Sequence, residues 1–90
     1  MVNIAFSRMV KIGNRQWEVN FRKLPSENNS FHADTPTLDG NRIQFNLYKE
    51  QASWHISGTG IPEWISSAGQ TLGTAIEQGL KEAFPKVAVD

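Results

Sequence analysis

The stretch WHISGTGIPEW, Trp54 to Trp64, decides the fold, because the hydrophobic period changes inside it. Before Gly58, Trp54 and Ile56 face one way and His55 the other, the period-two pattern of a half-buried strand. After Pro62 the period is about 3.6: at roughly 100° per residue, Ile65, Ala68, Leu72, Ile76, Gly79, Leu80 and Ala83 share one side. Ser67, Gln70, Thr74, Glu77, Gln78 and Lys81 fall opposite. An amphipathic helix over about 62–84 is expected, with Pro62 preset for its first turn and Pro85 disfavouring α geometry in Phe84. SAGQ, Ser67 to Gln70, matches a capping box, which would make Pro62 to Ser66 a separate turn.

Upstream the period is two throughout. Val2, Ile4, Phe6, Val10 and Ile12 put apolar residues at the even positions, and Arg8 interrupts the series. Gly13-Asn14 supplies turn chemistry, after which Trp17, Val19 and Phe21 oppose Gln16, Glu18, Asn20 and Arg22. Pro25 and the polar SENNS end that run, FHAD returns briefly, and Asp39-Gly40 marks another turn. Ile43, Phe45 and Leu47 then share a face, and Glu50-Gln51-Ala52 connects to SWHIS. Strands are expected at about 2–12, 15–24, 30–34, 42–49 and 53–58, followed by a short tail, KVAVD.

Strands first and one helix last predict an α+β domain over 1–90: an antiparallel β-meander of four or five strands, with the C-terminal helix across one face. The 90 residues, 39% hydrophobic, allow one modest core. Charged residues balance to a net charge of zero, so any nucleic-acid or membrane partner would need a local patch. Cysteine is absent, which excludes disulfides, thiolate catalysis and cysteine metal sites. Ser7, Arg8 and Lys11 break the N-terminal apolar run, and no stretch approaches the roughly 18 apolar residues of a span. The expectation is a cytoplasmic protein. Its size and element order resemble those of many short bacterial and phage proteins, a likeness of size that carries no motif.

Gly58-Thr59-Gly60 sits between a strand and a helix, where backbone N–H groups can approach an anion. A dinucleotide fingerprint would need a third glycine where Glu63 stands and a parallel strand afterwards; a P-loop would need Gly-Lys-Ser/Thr. Glu63 also brings a carboxylate to the site, and Pro62 removes a donor. The segment therefore reads as a turn, with anion capture the lesser alternative.

Gly69, Gly73 and Gly79 each cost up to about 1 kcal/mol relative to alanine inside a helix. Close packing on the protein's own sheet would offset that cost, and a helix-mediated homodimer is the rival explanation. Trp17 and Trp54 read as core, whereas Trp64 lies at the edge of the apolar arc, where an exposed indole would anchor a partner. His32 and His55 lack the neighbours a metal site needs; Asp34 shares a strand face with His32 but completes no ligand set. No serine sits in a nucleophile elbow or an evident triad, and Glu77 and Glu82 read as a solvated face. Arg8, Lys11, Arg15, Arg22 and Lys23 are unevenly placed, but Trp17 and Phe21 face away from Arg22, so a charged sheet edge explains them better than a nucleic-acid platform.

The expected function is a non-enzymatic binding module acting through protein contact, as an adaptor, an inhibitor or a homodimer. Its expected partner-binding residues are Trp64, Gly69 and Gly73 on the helix, and Arg22, Tyr48 and His55 on the polar sheet face. The alternative is a protein that sequesters a small anionic ligand or nucleotide at Gly58, Thr59 and Gly60. No cofactor and no metal is expected.

Overall fold

In the computed structural model, which describes residues 4–25, 30–37 and 39–85, all five strands form one antiparallel sheet in the order β1-β2-β3-β4-β5. They are β1 (Ala5–Ile12), β2 (Arg15–Lys23), β3 (Ser30–Pro36), β4 (Arg42–Glu50) and β5 (Ser53–Ser57). This is the expected meander, with β3 reaching two residues beyond 34 because Thr35 and Pro36 still pair with Ile43 and Arg42. The expected start of the first strand at Val2, most of SENNS and the tail KVAVD lie outside the described residues.

Turn chemistry fixes the registers. Gly13 takes φ +66° and Asn14 no positive φ, the pattern of a two-residue turn that needs only its first central residue left-handed. Ile12 consequently pairs with Arg15, and Phe6 with Phe21. Between β4 and β5 both loop residues, Gln51 (φ 52°) and Ala52 (φ 68°), are left-handed without being glycine. That geometry follows the right-handed twist of the flanking strands, at a cost in backbone strain.

The helical region is not one continuous helix over 62–84; it follows the alternative of a separate turn before Ser67. It divides into α1 (Glu63–Ser66) and α2 (Gly69–Ala83). Pro62 lies outside α1 as its N-cap, with φ −61° and ψ 150°. Ala68, at φ −103° and ψ 20°, is the N-cap of α2, so Ser67, the C-cap of α1, does not cap α2 and the SAGQ box does not close. The Gln70 side chain is engaged elsewhere, its Oε1 accepting the backbone N–H of Trp54 at 2.7 Å, on edge strand β5. The break lets Ile65, Ala68 and Gly69 all face the sheet.

The core lies between α2 and one sheet face. Phe21, Phe31, Ala33, Phe45, Leu47 and Trp54 supply the sheet side, and Ile65, Leu72, Ile76 and Leu80 the helical side. Thr35, the buried polar residue among those described, is satisfied by donating from Oγ1 to the Glu18 carbonyl at 2.9 Å. Arg8, which breaks the alternation of β1, points to the helix face and pairs with Glu82 at 3.0 Å. Lys49 does the same on β4, reaching Glu77 at 3.2 Å. The expected solvated carboxylates of the helix thus reach down to the sheet on both flanks.

Candidate functional site

Where the β1-β2 hairpin meets the α1-α2 corner, the core thins into an open groove of about 650 Å³, lined chiefly by Ile12, Trp17, Trp64, Ala68 and Thr71, with Lys11 at its edge. Trp17 enters from β2 on the helix face, and Trp64 from the single turn α1, held by hydrogen bonds from Ile65 and Ser66 to the Pro62 carbonyl. The two indoles stack with centroids 4.4 Å apart and planes 25° from parallel. Both rings are only partly covered.

Arg15, next to the hairpin turn and two residues from Trp17, lies on the same strand face. Its guanidinium carbon sits over the Trp17 ring, 5.9 Å from the centroid. Neither Arg15 nor Lys11 has a carboxylate partner among the described residues, and no acidic residue lines the groove. The Trp17 indole Nε1 is buried with no acceptor, a condition that costs about 1–3 kcal/mol when nothing relieves it.

Of the expected site residues, Trp64 is therefore at a groove. Gly69 and Gly73 are inside the protein: a Cβ on Gly69 would lie 3.0 Å from the Trp54 carbonyl oxygen, and one on Gly73 would lie 2.1 Å from the Trp54 ring. The third helix glycine, Gly79, admits the Phe6 ring in the same way. The helix needs these glycines to approach its own sheet, so a partner has no access to that face. This corrects their expected role at an interface.

Arg22, Tyr48 and His55 do lie on the open sheet face, but the structure does not assemble them. Tyr48 and His55 are cross-strand neighbours with ring centroids 5.2 Å apart, whereas Arg22 sits opposite His32 and Ala5. Around Arg22 is an open depression of about 470 Å³ that also touches Ser7, Asn20, His32 and Asp34. Most of its polar groups satisfy one another. Ser7 Oγ donates to Asn20 Oδ1, Asn20 Nδ2 donates to Asp34 Oδ1 at 2.8 Å, and Arg42 donates to the same oxygen at 3.0 Å. His32 is bonded to Asn46 at 2.9 Å. Such rows stabilise a sheet face without needing a ligand.

Gly58 and Gly60 adopt φ 146° and 69°, and all of Gly58-Thr59-Gly60 is exposed. The helix that follows is one turn of four residues with Glu63 at its start, too short to gather the aligned dipoles an anion site needs. The segment turns the chain. Among the described residues no three His, Asp or Glu side chains gather as a metal set, and no helix is long and apolar enough to cross a membrane.

Sequence reasoning missed Arg15 and the groove role of Trp17. The available signal was a cation two residues before an aromatic, beside a hairpin turn, where a small sheet runs out of helix to cover it. Comparison with protein-family models, with curated proteins and with solved structures finds no match, so the site is read from its own geometry.

Proposed function

We propose that the protein is a non-enzymatic binding module that acts through protein contact, with the Trp17-Trp64 groove as its binding surface and Trp64 as the anchor. The stacked, half-covered indole pair carries this reading. Tryptophan dominates interface hot spots because it removes a large apolar area from water while losing little side-chain freedom. Within one chain, Trp64 gains only part of that burial. Self-association through the helix glycines is not part of the proposal, since Trp54 and Phe6 already occupy that face.

The test is a selection of random displayed peptides on the protein, with Trp64→Ala as the competing surface. Peptides that bind the parent and fail on the variant are expected, while the variant keeps its circular dichroism spectrum. Binders indifferent to Trp64 would remove the groove from the proposal.

A second reading, a small anionic ligand, is favoured by one observation: Arg22 is exposed in the open-face depression with no acceptor among the described residues. Inorganic phosphate or a nucleotide that raised the melting temperature of the parent, and not of Arg22→Ala, would support it.

A further inference from the structure

We infer that the groove takes an acidic, apolar protein segment: an aromatic or aliphatic side chain laid against Trp64, flanked by an Asp or Glu carboxylate that pairs with Arg15. The inference rests on the groove being the binding surface and adds the chemistry of its occupant.

Charge is the first argument. The groove is apolar along Ile12, Trp17, Trp64 and Ala68, with Lys11 and Arg15 at its hairpin end and no acid in its lining. In a chain of zero net charge, that is a local imbalance. The molecule's other cation-bearing contacts between layers, Arg8 with Glu82 and Lys49 with Glu77, are neutralised, whereas Arg15 is not.

Geometry is the second. A guanidinium keeps its N–H donors in its own plane, so a cation–π contact with Trp17 does not consume them. The planar fork of donors that remains matches the geometry of a carboxylate. An arginine beside an indole, with no acid among the described residues, is thus free to take a carboxylate from a bound segment.

The third is the unpartnered Trp17 Nε1. Trp17 lines the groove, and a buried donor without an acceptor is one that a backbone carbonyl of a bound segment would satisfy. Trp17 and Trp64 both line the groove and stack on each other, which makes the two indoles reporters of occupancy.

The enriched peptides from the random display are sequenced, resynthesised and titrated by tryptophan fluorescence at rising NaCl. Asp or Glu beside an aromatic or aliphatic residue is expected, with affinity falling as salt rises. Arg15→Gln is expected to weaken binding about tenfold, the effect of losing one charged hydrogen-bonding partner, and Arg15→Lys by less. Trp64-dependent peptides without acidic bias, or binding indifferent to Arg15→Gln, would overturn the acidic occupant and leave the groove standing. No Trp64-dependent peptide at all would remove the groove and this inference with it. A dimer in sedimentation that Trp64→Ala dissociates would give the groove to a second copy and overturn the proposal.

Discussion

At the scale of single residues, the molecule turns on what Gly73 lacks. A methyl group there would sit 2.1 Å from Cδ1 and Cγ of Trp54, atoms near the root of a side chain that is 6% exposed and cannot swing away. Alanine normally favours a helix over glycine by about 1 kcal/mol, so an exposed Gly→Ala change would stabilise. Here overpacking reverses the sign. Gly73→Ala is expected to lower stability by about 2 kcal/mol, read as a lower urea midpoint with unchanged slope. An increase in the midpoint would mean that the helix does not lie on Trp54 as described. The same indole ties its Nε1 to Glu77, so Gly73→Ala should also disturb that hydrogen bond.

At the scale of elements, α2 is fastened to the sheet by carboxylates as well as by its apolar face. Glu77 Oε2 accepts from Trp54 Nε1 at 2.7 Å and from Lys49 Nζ at 3.2 Å. Its pKa is lowered from 4.5, first by the Trp54 hydrogen bond and then by Lys49, against the opposing effect of desolvation. A carboxylate whose folded pKa is depressed contributes stability that is complete above its unfolded value and is lost as pH falls through the folded one. Stability should therefore decline below pH 4.5, with Asp39, lowered by its Thr37 and Asn41 hydrogen bonds, adding to the fall from the β3-β4 turn. Glu77→Gln retains an acceptor for the indole but no titration, so its urea midpoint should vary less than the parent's between about pH 6 and about pH 3. An unchanged pH profile would rule out this fastening. The strands and the C-terminal helix were legible because period two and period 3.6 are properties of local sequence. The separate turn before Ser67 was also legible, but its capping was not, because Gln70, which would close the capping box, is claimed by the Trp54 N–H from a distant strand. Arg8 and Lys49 stood in apolar slots for a similar reason: their partners lie on α2. Trp64 could be placed at the margin of the helix, but its stacking on Trp17 depends on a crossing that no local spacing encodes.

At the scale of the whole molecule, one covered sheet face and one open face set where stability is concentrated. Strand β3 is central, paired with β2 on one side and β4 on the other, and Phe31 and Ala33 are fully buried beneath the helical layer. Freeing their amides requires parting the sheet and lifting α2 together. Hydrogen exchange at Phe31 and Ala33 should consequently be the slowest in the molecule and carry the urea dependence of global unfolding. The groove lies away from this strand, on the hairpin end of β1-β2 and the single turn α1, where fewer layers must open. Amides around Gly13 and Trp64 should exchange through smaller openings, and Trp64→Ala should leave the slow β3 class almost unchanged while altering the groove. Equal slowing or equal acceleration at both places would tie the groove to the core, and loss of binding in that variant could then be loss of fold. Separation of the two classes would allow the protein to hold its sheet fixed while the indole pair adjusts to what it binds.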